Sequence, residues 1–486
     1  MSEGPSDGWT DALADTWTAR GAGAARDPDQ AAGGLPVDSG LVARLRAEVT
    51  DRLDARLQAD EAAGLPRLSP ADQRQFGRQL ISEALEAEAR AAVAAGRRAL
   101  DLAAEDAVAQ AVADALFGLG RLQRLLDDPQ IENINAQGAD QVFVRYAEGT
   151  RARVDPIADS DAELVDLLRL AAARMGLGER RFDLGSPRLS LQLPDGSRLF
   201  AVMAVTGRPS LAVRRHRYLK LSLDDLVQLG TLDICLRELL GAAVRAHLNL
   251  ILCGATNSGK TTLLRALAAE IGPEERLITI EDSLELDLGR YPELHPDLVA
   301  LEAREPNVEG EGEVSQADLV RWALRMSPDR VIVGEVRGEE VLPMLNAMSQ
   351  GNDGSMCTVH AGSSRGAFGK LATYAIQAPE RLPLEATNLL IANAINLVVF
   401  IHHDRPTGQR TLASVREVTG AEGPLVTSNE VFTPGPGRQA VPGAPLRAET
   451  LEVLVEAGFD PGLLERPQGW WDTTASRLDG DGQVLA

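Results

Sequence analysis

The period of the apolar positions changes several times along the chain, and each change predicts a different kind of element. Leu41, Val42 and Leu45, then Leu53 and Leu57, and later Leu100, Leu102, Val108 and Val112 stand at helical spacing among Ala, Arg and Glu. They predict a helical module over about 41–118, its amphipathic helices joined near GLPRLSP at 64–70. From about 119 the text shifts. LLDDPQIENINAQGADQVFVRYAEG predicts a short helix followed by two strands, INAQ and QVFVRY, while LSLQLPDGSRLFAVMA and SLAVRRHR alternate with turns, as an α+β domain would over 119–217.

The signals sharpen further on. Leu248, Leu250, Ile251 and Leu252 form an apolar run that breaks into glycines, a lysine and two threonines; Leu263, Leu264, Leu267 and Ile271 then resume at helical spacing. That order is strand, loop, helix. RLITIED at 276–282 and RVIVGEVRG at 330–338 are further apolar strands, each ending in charge, so 218–420 reads as alternating α/β. Beyond 420 the chain turns Pro- and Gly-rich, with one helix expected near 447–457, and 421–486 is read as an extension. Residues 1–40, rich in Gly, Asp, Pro and Ala with little periodicity, are expected to be a disordered acidic tail.

Composition narrows the classes. At 486 residues the chain is long enough for about three units with cores of their own. Its formal charge of -22 disfavours direct binding to nucleic acid or to an anionic membrane. Cys235, Cys253 and Cys357 form no C-x-x-C pair, which argues against a disulfide framework and a structural zinc site and for a reducing compartment. The beginning, MSEGPSDGWTDALADTW, lacks the basic and apolar regions of a signal peptide. The apolar stretch LLIANAINLVVFI, 13 residues at 389–401 and interrupted by Asn393 and Asn396, is too short to span a bilayer. Membrane association is therefore expected to be peripheral or through a partner.

Gly254, Gly259, Lys260 and Thr261 complete G-x-x-x-x-G-K-[ST] between the strand and the helix. Glycines let backbone N–H groups of Gly254, Ala255, Thr256, Asn257, Ser258 and Gly259 curl around a polyphosphate. The helix beginning near Lys260, Thr261 and Thr262 offers its positive end, Lys260 a mobile charge, and Thr261 a hydroxyl to Mg²⁺. ATP and Mg²⁺ are the expected guests. RVIVGEVRG ends in Glu335 and Arg337, and in a parallel sheet such strand ends gather beside the loop, so the acids Glu281, Asp282 and Glu335 can converge on Mg²⁺ and an attacking water. Taken singly, each acid also reads as a helix cap or a solvated charge. Gly334 stands before Glu335 where an aspartate would reach the metal, so Glu335 is cast as the residue that activates or orients water.

GATNSGKTTLL, ITIEDSLEL, SPDRVIVGEVRG and NAMSQGNDGSMCTVHAGS, in that order, resemble the secretion-superfamily traffic ATPases, close to the CpaF/TadA branch that powers tight-adherence pili. Upstream, DDPQIENINAQGADQVFVR, LPDGSRLFAVM and LAVRRHR resemble the N-terminal domain of that family, so the likeness covers about 119–420. It implies a RecA-like P-loop ATPase domain behind an α+β domain. It further implies that Lys260 and Thr261 serve as the Walker A pair, Glu281 as the Asp-box acid, Glu335 as the Walker B glutamate and His360 as the His box, with Arg198 and Arg214 reaching the phosphates. His360 reads either as a γ-phosphate sensor or as a hydrogen-bonded structural histidine, and Arg215 and Arg217 read equally well as solvated-face charges. Asn352 replaces a histidine that many relatives carry, and the missing tetracysteine module disfavours the type II branch.

The resemblance implies an ATP-hydrolysing hexameric motor at the cytoplasmic face of the membrane, working on polytopic inner-membrane platform proteins of a pilus or secretion system. A conjugation ATPase serving DNA or protein transfer is the alternative within the enzymes, and a nucleotide-gated scaffold without turnover is the alternative outside them. Two strand-end acids and two arginines argue against the scaffold, since pure binding needs none of them.

Overall fold

A computed structural model describes residues 38–66, 68–146, 149–175, 181–215, 221–304, 306, 310–465 and 471. Residues 1–37 of the tail expected over 1–40, Arg217 and the terminal stretch 472–486 lie outside the described residues, while Asp38–Gly40 depart from that expectation because Asp38 caps a helix that begins at Ser39. The chain forms two compact units, one running up to Tyr146 with Thr150–Phe182 and Val202–Ala212, the other holding Asp183–Ala201 and the chain from Val213 onward.

In the first unit, α1 (Ser39–Ala62), α2 (Pro70–Ala94) and α3 (Leu102–Phe117) pack together. Each begins at a residue whose side chain accepts from a free backbone N–H: Asp38 from Gly40 at 2.9 Å, Ser69 from Asp72 at 3.2 Å and Asp101 from Ala104 at 2.9 Å. Their shared core is Leu41, Leu45 and Val49 against Leu80, Ile81 and Leu85 and against Val108, Val112 and Leu116. Gly77 allows the closest approach, since a Cβ there would stand 2.2 Å from Phe117 Cζ. A short helix, α4 (Arg121–Asp127), leads into an antiparallel meander of β1 (Ile131–Gln137), β2 (Gln141–Tyr146) and β3 (Arg151–Val154), followed by α5 (Asp161–Met175). Arg208 ties this unit together, donating to Asp161 at 2.7 and 2.8 Å and to Asp140 at 2.6 Å. Three short strands follow α5 in the chain: β4 (Arg188–Gln192) and most of β5 (Arg198–Val202) belong to the second unit, and β6 (Ser210–Arg214) begins in the first.

The second unit is built on a nine-stranded sheet. Its elements are α6 (Leu223–Gln228), α7 (Ile234–Arg245), β7 (Leu250–Gly254), α8 (Lys260–Ala268), β8 (Leu277–Glu281), β9 (Leu298–Glu302), α9 (Gln316–Ala323), β10 (Arg330–Val336), α10 (Val341–Ser349), β11 (Met356–His360), α11 (Ser364–Gln377), α12 (Leu384–Ala394), β12 (Leu397–His403), β13 (Arg410–Glu422), β14 (Leu425–Pro434), β15 (Ala440–Pro442) and α13 (Ala448–Glu456). Strand order is β15-β14-β13-β12-β7-β11-β10-β8-β9. The six strands from β12 to β9 are parallel, and β13, β14 and β15 add an antiparallel edge.

Alternation along β7 explains its unbroken apolar text. Leu250 and Leu252 enter one core with Leu236, Leu240, Leu263 and Leu267, while Ile251 and Cys253 enter another with Ile280, Val333, Leu345 and Val359. Both faces are covered by helices, so only the strand ends are left for chemistry.

One stretch differs from its sequence reading in an instructive way. The sheet does not stop at 420: β13 and β14 pair across a turn at Gly423, whose φ is 54°. Their alternation is hidden by a register shift between Val418 and Gly420 and by Pro424, which together imitate a loop. The stretch 389–401 divides between α12 and β12, and no helix among the described residues is long and apolar enough to cross a membrane.

Candidate nucleotide site

The glycine-rich loop leaves the sheet at the end of β7. Gly254 is buried, and a Cβ on it would lie 2.4 Å from Ser258 Oγ and 2.7 Å from the Ile401 carbonyl, so no side chain fits. The backbone then turns through Asn257 at φ 66° and Gly259 at φ 95°, both left-handed, and Gly259 opens α8. Thr256 and Asn257 are exposed on the loop, and Thr261 and Thr262 are half-buried in the first turn of the helix.

This path buries Lys260 at the helix start. Its Nζ donates to the carbonyl of Ala255 at 3.0 Å and of Gly254 at 3.4 Å and meets His360 Nδ1 at 3.3 Å. Burial pushes the ammonium pKa down, with the Glu335 carboxylate opposing. Ser258 Oγ is buried beside it with no hydrogen-bond partner among the described residues. A cation whose hydrogen-bond partners among the described residues are carbonyls and an imidazole, a buried hydroxyl and a helix N-terminus together form a cradle that a polyphosphate would complete.

His360, the last residue of β11, joins two of the predicted groups. Lys260 donates to its Nδ1, so Nε2 carries the proton and donates to Glu335 Oε1 at 2.9 Å. Burial and then the Lys260 charge lower the His360 pKa, Glu335 opposing them, and the ring stays neutral at neutral pH. Glu335 reaches this position because β10 slips register against β11 between Val333 and Val336. Thr358 Oγ1 donates to the Gly334 carbonyl at 2.7 Å within that irregularity.

Glu281 ends β8 almost fully buried. Its Oε1 accepts from the backbone N–H groups of Glu285 and Leu286, each at 2.9 Å. Burial nevertheless pushes its pKa up to about 7, the two N–H bonds only partly compensating. Gly334 has a role that its sequence context concealed: a Cβ there would stand 3.0 Å from Glu281 Cγ and 3.2 Å from Oε1. The missing side chain on β10 is the space in which the Glu281 carboxyl lies. Glu285 in turn holds Arg198, with Oε1 2.6 Å from Nη1.

Arg214 donates from Nη2 to Asn257 Oδ1 at 2.9 Å, and Arg410, a residue that sequence reasoning missed, donates from Nε to the Asn257 carbonyl at 3.2 Å. The left-handed tip of the loop is thus gripped by two arginines, which offsets a conformation unfavourable for a residue with a Cβ. Arg410 also walls a cavity of about 210 Å³ beside the loop, lined by Ser258, Gly259, Thr262, Leu221, Leu226 and Gln409 among others. No local motif marks Arg410, which lies 153 residues from Asn257. Arg337 pairs with Asp282 at 2.6 Å, and Arg215 with Asp195 at 3.7 Å. The structure therefore brings Lys260, His360 and Glu335 into one chain of contacts and Glu281, Glu285 and Arg198 into another, with Arg214 on the loop itself.

A parallel sheet with a P-loop at its central strand and acids on neighbouring strand ends defines a P-loop nucleotide-binding protein. More specifically, residues 116–417 match the family described as Type II/IV secretion system protein, and the chain belongs to that family. It is similar to the Mycobacterium tuberculosis H37Rv protein named "Putative conjugal transfer protein Rv3659c", with 35% identity over 317 residues, 63% of this chain and 86% of the relative. The type IV secretion system protein VirB11 of Brucella suis is 30% identical over 326 residues, 62% of this chain and 88% of the relative. The crystal structure of the Brucella suis VirB11 ATPase in complex with sulphate aligns at a TM-score of 0.33 and 30% identity, over 64% of this chain and 96% of that one.

Proposed function

We propose that the chain is an ATP-hydrolysing motor of the secretion superfamily, working as a hexamer at the cytoplasmic face of the membrane. The observation that carries this reading is the continuous contact from Lys260 through His360 to Glu335, because a site that only stored nucleotide would not need its P-loop lysine linked to an acid. Lys260 and the helix N-terminus would hold the phosphates, and Thr261 would offer its hydroxyl to Mg²⁺. The metal would supply charge neutralisation at the phosphate oxygens. Glu335 would orient the attacking water, and Glu281, whose pKa of about 7 suits proton transfer near neutrality, would accept its proton. Neutral His360 would pass the state of Lys260 to Glu335 through its two ring nitrogens. Arg198 and Arg214 would act on the phosphates when released from Glu285 and Asn257.

Turnover of the site would drive movement of polytopic membrane platform proteins, and the four ordered motifs support the tight-adherence pilus branch. A second reading, an ATPase for conjugation or type IV secretion, is favoured by the names of the relatives at 35% and 30% identity. Lys260→Ala should weaken ATP binding and abolish phosphate release, whereas Glu335→Gln should bind ATP and fail to turn it over. Normal turnover by the Glu335→Gln protein would refute the motor. In the native host, that variant would cost surface filaments under the pilus reading and DNA or protein transfer under the other.

A further inference from the structure

We propose that Glu285 is the residue that holds Arg198 back in the nucleotide-free protein, its carboxylate filling the electrostatic place that the terminal phosphate of ATP takes on binding. This rests on the reading of Arg198 as a phosphate-contacting arginine. The contact is single: Arg198 Nη1 meets Glu285 Oε1 at 2.6 Å, which leaves the remaining N–H groups of the guanidinium uncommitted to this acid. A phosphate can offer the bidentate fit that this one contact lacks.

The two partners are fixed to different degrees. The backbone of Glu285 is pinned twice, by its own N–H on Glu281 Oε1 at 2.9 Å and by Arg265, which donates to the Glu285 carbonyl and, from Nε, to the Leu286 carbonyl at 3.0 Å. Arg265 belongs to the P-loop helix α8, so the backbone of Glu285 is tied to the helix that opens at the phosphate cradle. The turn before Arg198 is held by its own side chains, Ser197 donating to Asp195 from its N–H at 3.0 Å and from Oγ at 2.7 Å, and by Arg290 donating to the Asp195 carbonyl at 3.3 Å, so the freedom needed to change partner lies in the long Arg198 side chain itself. The pair is partly open to water, with side chains 34% and 28% exposed, a setting in which ion pairs are weak and exchangeable.

Placed there, Glu285 gives the site a way to distinguish ATP from ADP. A ligand without the third phosphate leaves Arg198 on its acid; a ligand with it draws the arginine inward, and the change of partner reports which nucleotide is bound.

The test uses the full chain, with binding of a fluorescent non-hydrolysable ATP analogue and of the matching ADP measured for Glu285→Gln, Glu285→Asp, Arg198→Lys and the Glu285→Gln/Arg198→Lys double variant. Glu285→Gln should tighten the ATP analogue by about two- to fivefold beyond any change for ADP, the range expected for loss of a partly exposed competing pair. Glu285→Asp, which keeps the charge, should stay close to the original protein. The excess should vanish in the double variant. An equal gain for ADP, no gain, a loss, or an excess that survives Arg198→Lys overturns the proposal. If Arg198→Lys alone leaves the ATP-to-ADP ratio unchanged, the phosphate-contact reading itself fails. If that ratio falls but Glu285→Gln gains nothing, only the holding role fails.

Discussion

Replacing Glu281 by Gln should make the protein more stable, and by an amount that depends on pH. The carboxyl is 3% exposed and its pKa rises from 4.5 to about 7 on folding. A raised pKa means that the folded chain binds this proton more tightly than the unfolded chain, so the associated stability is fully present below pH 4.5 and is lost as pH climbs through 7. At about 1.4 kcal/mol per pH unit the rise corresponds to about 3 kcal/mol. Gln cannot ionise, yet its amide oxygen can still accept from the Glu285 and Leu286 N–H groups, and Gly334 leaves room for it. The extra amide N–H groups add an offset that does not vary with pH. Urea unfolding of both proteins from pH 4.5 to 8.5 would therefore show a stability difference that grows in favour of Gln by about 3 kcal/mol up to pH 7 and then flattens. A difference that stays constant over this window would refute the buried, raised carboxyl and with it the assignment of Glu281 as a proton acceptor.

Gly334→Ala should displace the Glu281 carboxyl, because the new Cβ would stand 3.0 Å from its Cγ; we expect a stability loss of about 1–3 kcal/mol and a fall in kcat larger than any change in nucleotide affinity, and an unchanged kcat would contradict it. Arg410→Gln should loosen the loop tip and the cavity wall without touching the acids, so ATP and ADP should both bind roughly three- to tenfold more weakly with saturated turnover retained; a loss confined to kcat would sink this assignment.

Much of this site was legible in the text of the chain, for local reasons. A strand, a glycine turn and a helix are contiguous, so 248–271 announced the P-loop, and apolar runs ending in charge announced β8 and β10. What could not be read was contact between distant segments. Gly334 looked like a missing ligand because its meaning lies in the side chain of Glu281, on another strand. Arg410 carries no local motif, and its partner is 153 positions earlier. Glu285 follows Glu281 by four residues and could have been noticed as a second acid, but only the folded loop shows it facing Arg198. The β13–β14 hairpin was obscured by a bulge, where the local alternation on which strand reading depends is suspended.

The order of the sheet also works as a ruler. His360 ends β11, Glu335 is the penultimate residue of β10 and Glu281 ends β8, and these strands lie one, two and three places from the P-loop strand β7. With neighbouring strands about 4.8 Å apart, these three stations stand roughly 5, 10 and 14 Å from it. Such marks cannot slide independently, because each is set by a ladder of backbone bonds to the next. A change in side-chain length at one station is therefore not made good by the others: shortening Glu335 to Asp withdraws the acid from His360 while the imidazole and Glu281 keep their marks. The sheet thus calibrates the reach of every group in the row.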